Sequence, residues 1–373
     1  MIKSLIEIHM IQNHCPANLN RDDLGSPKTC FFGGVLRSRI SSQCLKRSIR
    51  TSADFADLVG GIRTRRLAEL ISQQVKGKDV KNQAKEVLAK CGIKSDKEAG
   101  SDMLVFTTHK AVKAMAQLLQ NEDGMHIDEL KAAFTRLIEN EVQVPDMALC
   151  GRMLETGVMK HTTVEAALQV AHAISTHEAR PEIDYYVAVD DIKGDDAGAG
   201  FVAEAMFSSA CFYKYFSIDC SQLLTNLGDH AELAAKTIGA FIYAAVRSNP
   251  SGKQNSYAAH NYPDGILIEI KERPFNYANA FVRPVVQMKD SDLVTQTIGQ
   301  LANYIDDMNK GYGLEGKQTQ IWFSPNHRHP LVNSNGDSIG DQIGSIDELV
   351  SKVVSLTGHD WNRVRELKVN EEA

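Results

Sequence analysis

The sequence predicts an α+β fold in which a long, mainly helical segment interrupts an antiparallel sheet. Apolar Ile6, Ile8 and Met10 alternate with polar neighbours, which is the period of a strand. A helical period dominates residues 60–177, and strand patterns return after it. The chain has 373 residues, of which 43% are apolar and 24% charged, so it is long enough to bury a large core.

The first strand leads into a polar loop and then a helix. Residues 13–32 are rich in Pro, Asn, Asp and Gly, which is typical of a long surface loop. Ser41 and Ser42 offer N-cap hydroxyls to a helix that we expect to end near Val59. Residues 1–59 therefore form the first part of the predicted sheet domain.

Residues 60–180 form the predicted helical insertion. Met103–Phe106 is its one strand-like segment. The helical period appears in five segments, namely 62–75, 80–91, 108–119, 127–138 and 164–175.

The second part of the sheet domain spans residues 181–289. Strand patterns at 183–189 and 210–218 flank a segment rich in Gly, Ala and Asp. We interpret this segment, about residues 190–209, as an extended hairpin that reaches away from the sheet. A helix over 231–246 and a strand over 266–270 complete the order.

Without its insertion, this order is the β-α-β-β-α-β arrangement of a ferredoxin-like domain, the scaffold that RNA-recognition modules also use. Residues 290–373 form a C-terminal segment associated with it. We expect a helix ending near Met308, a short strand over 321–323 and a charged, frayed end.

The composition excludes several classes of protein. The seven cysteines are an odd number without a C-x-x-C pair, and the chain carries no phosphate-binding or hydrolase motif. We therefore expect no metal, no cofactor and no catalytic residue. Glu7 interrupts the apolar start of the chain, and no apolar stretch reaches the length of a membrane span. The predicted location is the cytoplasm, without membrane contact.

Positive charge is concentrated in one stretch. From Lys28 to Arg50 there are six cations and no acid, although the whole chain carries −6, so the remaining residues carry −12. The cations are Lys28, Arg37, Arg39, Lys46, Arg47 and Arg50. A localised basic patch on an acidic protein is typical of an anion-binding site.

The helix in this stretch presents a polar face. Gln43, Lys46 or Arg47, and Arg50 follow a helical period opposite the apolar Leu45 and Ile49. Cations near a helix N-terminus are unfavourable unless an anion binds there. Together with Arg37, Arg39, Ser41 and Ser42, this face is suited to a phosphate. A solvated basic face without a ligand is the alternative.

Several segments, in the same order along the chain, resemble the CasC family of CRISPR-associated proteins. They are Leu19-Asn20-Arg21-Asp22-Asp23, Phe32-Gly33-Gly34, Arg39 to Arg47, Ala148 to Met153, Val170 to His177, Ala188-Val189-Asp190-Asp191, Phe207 to Tyr215 and Asn309 to Leu314. The resemblance implies a backbone subunit of a type I-E Cascade complex. It also implies a palm with an RNA-recognition-type sheet, helical fingers (the insertion) and a thumb (the hairpin).

The resemblance implies the partners as well. Copies of the subunit pack head to tail along the guide RNA (crRNA), which pairs with a target DNA strand, and other Cascade subunits join them. The positions that match guide-RNA contacts of the family are Arg21, Lys28, Ser41, Gln43, Lys46 and Arg50. Such contacts fit phosphates rather than bases, because base pairing reads the sequence.

The resemblance also implies that a guide nucleotide is displaced at regular intervals, where an apolar side chain can fill the gap. Leu168, Phe201 and Val202 are the candidates for this wedge, with ordinary packing as the alternative.

Two aspartate pairs leave open an alternative function as a metal-dependent ribonuclease. Asp22-Asp23 and Asp190-Asp191 are able to bind a divalent ion, but aspartates beside turns commonly accept backbone hydrogen bonds instead. His161, His172 and His177 lack metal-ligand spacing, and we interpret them as packing residues. The polar loop 249–265 is either a contact surface or a connector.

Overall fold

The computed structural model describes residues 4–77, 79–96, 100–101, 103–121, 125–153, 162–188 and 201–368. Its strands are β1 (Leu5–Ala17), β2 (Thr29–Phe32), β3 (Val35–Ile40), β4 (Gly61–Thr64), β5 (Ser95–Asp96), β6 (Gly100–Ser101), β7 (Val105–Thr108), β8 (Leu168–Val170), β9 (Ala173–Ser175), β10 (Glu182–Ala188), β11 (Phe201–Asp219), β12 (Gly265–Lys271), β13 (Thr319–Phe323) and β14 (Asp341–Ile343).

The α-helices are α1 (Ser42–Arg50), α2 (Leu67–Gln74), α3 (Lys81–Lys90), α4 (His109–Asn121), α5 (Ile127–Asn140), α6 (Pro145–Cys150), α7 (Cys220–Asn226), α8 (Ala231–Arg247), α9 (Gln254–Tyr257), α10 (Leu293–Tyr312), α11 (Ile346–Leu356) and α12 (Trp361–Val364). Two 3₁₀ helices are Ala53–Leu58 and Tyr277–Phe281. The protein is therefore of mixed α and β structure, as predicted.

One large sheet organises the described residues, in the order β14-β13-β12-β1-β11-β9-β3-β2, with β8 and β10 also paired to β11. Its centre is antiparallel: β1 pairs with β11 on one side and β12 on the other. Because the side chains of β1 alternate between faces, each face is covered by different elements. Ile6, Ile8 and Met10 belong to the core that contains α8 and α11, whereas Ile11 belongs to the core that contains α10.

The helices α2 to α5 pack around a hydrophobic core of their own. Ile71, Val87, Met115 and Phe134 are fully buried members of it. This core is separate from the two that cover the large sheet. The predicted helices at 80–91, 108–119 and 127–138 are confirmed with small shifts of their ends. The helix predicted over 62–75 is shorter, because residues 61–64 form β4, which pairs with β7, and α2 begins at Leu67.

A hairpin extends the sheet where its predicted arms were placed. β10 pairs with the first part of β11, from Glu182 opposite Phe207 to Ala188 opposite Phe201. The pairing thus begins before the predicted start of the hairpin at residue 190, and the predicted tip lies outside the described residues.

The structure corrects three local predictions. Residues 164–175 are not a helix: β8 and β9 lie there and pair with β11, because such a short apolar run fits either period. The loop predicted over 13–32 is shorter, since β1 continues to Ala17. The predicted frayed end begins later than expected, since α11 places Val350 and Val353 in the core beside α8, and residues 369–373 lie outside the described residues.

Within the described residues, no helix is long and apolar enough to cross a membrane.

Candidate nucleic-acid interface

The basic stretch folds into a hairpin followed by α1. β2 and β3 pair antiparallel around Gly33 and Gly34, which both have positive φ. A side chain at residue 33 would place its Cβ 1.8 Å from the carbonyl oxygen of Val282, so this turn packs tightly against the segment after Phe281. Glycine is therefore required both by backbone conformation and by close approach.

Ser41 caps α1, as predicted. Its backbone is extended and its Oγ accepts a hydrogen bond from the Cys44 N–H at 3.3 Å. The Asn20 Oδ1 accepts from the Ser41 N–H at 2.9 Å, which fastens the preceding loop to the start of the helix. Ser41 is buried, whereas Ser42 is half-buried and its Oγ lies 3.4 Å from the Gln43 Oε1.

The two faces of α1 divide as the sequence predicts. Leu45 and Ile49 are buried in the core that contains α8 and α11. On the opposite face of α1, Gln43 and Arg47 are exposed and Lys46 is half-buried. No acid lies in the first turn of α1, so nothing in the helix itself neutralises its positive N-terminus. This end of the helix therefore favours an anion.

Two cations lie on α1 and three on the segments that precede it, and we call these five together the cationic surface: Arg21, Lys28, Arg39, Lys46 and Arg47. The Arg39 N–H donates to the Lys28 carbonyl, and Arg21 forms a β-bridge with Pro27. In the part of the chain that the structure describes, none of the five has a carboxylate partner within 4.0 Å. Their charges are therefore available to an external anion.

An open cleft of about 930 Å³ adjoins the cationic surface. Arg21 and Arg47 line it together with the hydroxyl groups of Ser48 and Thr51 and the backbone near Gly252. Asp22 and Asp23 line it too, so the cleft carries both signs of charge. Its polar, open form is suited to an extended polar chain rather than a small apolar ligand.

Arg50 does not belong to the cationic surface, which corrects its predicted role. Its Nε lies 2.7 Å from the Asp146 Oδ2, its Nη2 donates to the Gly61 carbonyl at 2.9 Å, and its guanidinium stacks over Phe106. Asp146 is buried. Arg50 therefore joins α1 to the helical insertion and has no free charge for a phosphate.

Arg37 has a structural role as well. It is fully buried, and its guanidinium donates to the carbonyl groups of Phe32, Ser175 and Phe281. Burial lowers its pKa. These bonds hold β3, β9 and the turn near Phe281 together, so the contribution of Arg37 to an anion site that the sequence suggested is wrong.

The wedge candidates have different outcomes. Leu168 is 3% exposed and packs in the main core from β8, so its predicted wedge role is wrong. The backbones of Phe201 and Val202 pair with Ala188 and Val187 in the hairpin, and their side chains lie outside what the structure describes. A wedge at these two positions stays a prediction.

Of the aspartate pairs, the first stabilises the turn that begins at Asp22. The Asp22 Oδ1 accepts hydrogen bonds at 2.9 Å from the backbone N–H groups of Leu24 and Ser26, and Asp23 is exposed beside it. This is the structural alternative that the sequence left open. Asp190-Asp191 lie outside the described residues.

The histidines are less uniform than predicted. His177 is half-buried and its Nε2 accepts from the Cys211 N–H at 3.1 Å, as a packing histidine does. His172 is exposed, which corrects its interpretation as a packing residue: its Nδ1 lies 2.9 Å from the Arg39 Nη1. His161 lies outside the described residues.

The loop 249–265 is attached to β1 by hydrogen bonds. The Gln12 Nε2 donates to the Asn261 carbonyl at 2.6 Å, and the Asn13 N–H donates to the Asp264 Oδ2 at 2.8 Å. A side chain at residue 252 would place its Cβ 2.4 Å from the Leu19 carbonyl oxygen. The loop therefore supports one wall of the cleft.

A buried polar network on the opposite face of the sheet was not predicted. Glu7 and His9 of β1 and Glu269 of β12 are fully buried, with potential ligand atoms within 4.8 Å of one another. The Lys271 Nζ contacts both carboxylates, at 2.6 Å from the Glu7 Oε2. Tyr277 donates to Glu269 at 3.0 Å. Lys271 pairs with both carboxylates, and the hydroxyl groups of Tyr215 and Tyr277 donate to Glu7 and Glu269, so protein groups satisfy the buried acids.

This network changes the pKa of Glu269. Burial alone would raise it, but hydrogen bonding and charge from His9 and Lys271 lower it to about 2. In the sequence, Glu7 and His9 alternate with apolar residues, a pattern that is typical of a strand with one face exposed to solvent, so their burial was not predicted. The signal for burial was available in Tyr213 and Tyr215, which lie on the same face of the neighbouring strand.

The fold and the cationic surface define a mixed α and β protein with a cationic edge beside its large sheet. A family model described as CT1975-like protein matches residues 6–352, and the chain belongs to this family. No curated protein sequence matches it.

Two solved structures are similar to this chain in both fold and sequence. A chain described as "CRISPR RNA-guided surveillance complex, pre-nicking" is 28% identical with a TM-score of 0.83, covering 95% of this chain and 100% of that one. A chain described as "CRISPR RNA-guided surveillance complex" is 26% identical with a TM-score of 0.62, covering 94% and 99%. The predicted relationship to Cascade subunits is confirmed.

Proposed function

We propose that this chain is a non-catalytic, guide-RNA-binding backbone subunit of a type I-E Cascade complex. It polymerises head to tail along the crRNA, beside other Cascade subunits, and presents the guide for pairing with target DNA. The observation that carries the proposal is the cationic surface of Arg21, Lys28, Arg39, Lys46 and Arg47. It offers cations without a carboxylate partner among the described residues, beside the positive N-terminus of α1, whose first turn holds no acid.

The architecture supports this role. The strand order β12-β1-β11-β9, with α1 between β1 and β9 and α8 between β11 and β12, supports the interpretation of this sheet as a ferredoxin-like palm. The helices with their separate core correspond to fingers, and the β10–β11 hairpin corresponds to a thumb. A palm that binds phosphates accepts any guide sequence, which is what a subunit repeated along RNA requires.

Co-purification tests the proposal. Protein isolated from cells that carry a CRISPR array should show strong absorbance at 260 nm and yield short RNAs of array sequence. Cells without the array provide the control. RNA-free protein that still forms the full assembly would contradict the proposal and favour a purely protein-binding scaffold.

A metal-dependent ribonuclease is the second candidate, and it has a direct test. With Mg²⁺ or Mn²⁺ present, we expect single-stranded RNA bound to the protein to stay intact, because Asp22 is engaged in its own turn. Electrophoresis of the RNA after incubation measures this. Cleavage that disappears in Asp22→Ala or Asp190→Ala, but persists in the exposed control Asp128→Ala, would overturn the non-catalytic assignment.

A further inference from the structure

His172 and Arg39 meet at the edge of the large sheet. His172 lies between β8 and β9, and β9 pairs with β3 so that Ile174 is opposite Arg39. This register brings the His172 Nδ1 to 2.9 Å from the Arg39 Nη1. His172 is exposed and Arg39 half-buried, so both side chains reach the protein surface.

The chemistry of the contact fixes the proton on the imidazole. A guanidinium group has only N–H donors, so Arg39 must be the donor and the Nδ1 of His172 the acceptor. The imidazole is then neutral, with its proton on Nε2. Burial and the nearby positive charges of Arg39 and Lys28 lower the pKa of His172, which agrees with the neutral form.

The same contact orients the Arg39 guanidinium but does not neutralise its positive charge. The Arg39 Nε donates to the Thr29 carbonyl at 3.2 Å and Nη1 to His172, so two neutral acceptors hold the guanidinium. Arginine has five N–H donors, and the three others are available to an anion. By contrast, Arg37 is fully engaged by carbonyl groups and Arg50 pairs with Asp146.

We propose that His172 is a positioning residue for guide-RNA binding, which holds Arg39 in the orientation that grips a backbone phosphate. This inference rests on the proposed function of the chain as an RNA-binding subunit. A fixed guanidinium loses less conformational entropy on binding than a mobile one, so its positioning raises affinity without adding charge. Asparagine should replace His172 in this role, since its Oδ1 is an acceptor near the position of Nδ1.

The test uses the full-length protein and a fluorescently labelled single-stranded RNA of arbitrary sequence, with affinity measured by anisotropy. We expect His172→Ala to bind about three- to tenfold more weakly, the value of one net hydrogen bond, and His172→Asn to recover most of the loss. In an Arg39→Ala background, His172→Ala should cause no further loss, because its effect acts through Arg39. The exposed His327→Ala provides the matched control.

Two further results separate this inference from the function on which it rests. If the unmodified protein binds RNA but His172→Ala binds equally well, the positioning role is wrong and the RNA-binding function stands. Equal weakening in His172→Asn and His172→Ala, or the same additional loss in the Arg39→Ala background, would overturn it too. If the unmodified protein does not bind RNA at all, the proposed function itself fails.

Discussion

Arg50 and Lys46 lie one turn apart on α1, yet their surroundings give them different roles. Arg50 pairs with buried Asp146, whereas Lys46 is half-buried and has no carboxylate partner among the described residues. The sequence shows the shared helix face but not the partner, which lies 96 positions away. The spacing of residues along α1 therefore predicted which side chains share a face, but it assigned Arg50 to phosphate binding because the sequence does not show its partner Asp146.

Removing Arg50 should destabilise the protein. In Arg50→Ala the Asp146 carboxylate stays buried without its cation, and loss of one partner of a buried pair costs about 3 to 5 kcal/mol. Lys46→Ala, at a more exposed site, should change the free energy of unfolding by about 0.5 kcal/mol or less. Urea unfolding of both variants measures the difference. Equal stability of the two variants would contradict the structural role of Arg50.

Charge reversal at Lys46 and Arg47 in the middle of α1 should weaken RNA binding without changing specificity. Lys46→Glu with Arg47→Glu removes two potential phosphate contacts, and phosphate contacts carry no base information. The slope of log affinity against log salt should decrease by about 0.7 for each lost contact on single-stranded RNA. Anisotropy titrations of unrelated RNAs at several salt concentrations measure both effects.

The control for charge reversal is Lys113→Glu, an exposed change on α4 of the helical insertion. Like the double variant, it makes the net charge more negative, but it lies away from the cationic surface. Its slope of log affinity against log salt should therefore equal that of the unmodified protein. A loss confined to one RNA sequence would show that α1 reads bases rather than phosphates.

At the scale of elements, the central strand β1 shows why some burial was predictable and some was not. Alternation at Ile6, Ile8 and Met10 correctly predicted one core face. The other face carries Glu7 and His9, which are fully buried because α10 covers the sheet there. Coverage by an element almost 300 residues later depends on tertiary packing, which the period of a strand does not report.

The buried network should make stability depend on pH at the acid end. The pKa of Glu269 is about 2 in the folded chain, against 4.5 ordinarily, so the folded state favours the carboxylate. Its contribution is present above pH 4.5 and is lost as the pH falls toward 2. Between pH 7 and pH 3 this group should account for about 2 kcal/mol of lost stability.

Urea unfolding across this pH range measures the effect. Between pH 7 and pH 3, Glu269→Gln should lose less stability than the unmodified protein. The exposed control Glu272→Gln should lose as much stability as the unmodified protein. The same pH dependence in all three proteins would show that Glu269 is not the group responsible.

At the scale of the whole molecule, the order of elements was more predictable than their partners. The strands at 183–189 and 266–270 and the helix over 231–246 were all confirmed near their predicted positions. The strands β8 and β9, which pair with β11, were not predicted. Each has only three residues, and the sequence pattern across both was interpreted as one helix. Such short strands are defined by pairing rather than by their own period.

The same limit applies to the cationic surface. Clustering of charge in the sequence predicted it, because Lys28 directly precedes the β2–β3 hairpin, Arg39 lies in that hairpin, and Lys46 and Arg47 lie on α1. Its link to His172 was not predictable, since the β3–β9 pairing that creates it joins segments 133 positions apart.

The central claim is that copies of this chain assemble along a guide RNA. Head-to-tail contacts are heterologous and do not close, so the length of the RNA should set the size of the assembly. Mass photometry of the protein on guide-like RNAs of increasing length measures this directly. We predict that particle mass rises stepwise by one subunit at a constant increment of RNA length, with the RNA intact. Particles that stay at one subunit per RNA, whatever the RNA length, would contradict the account.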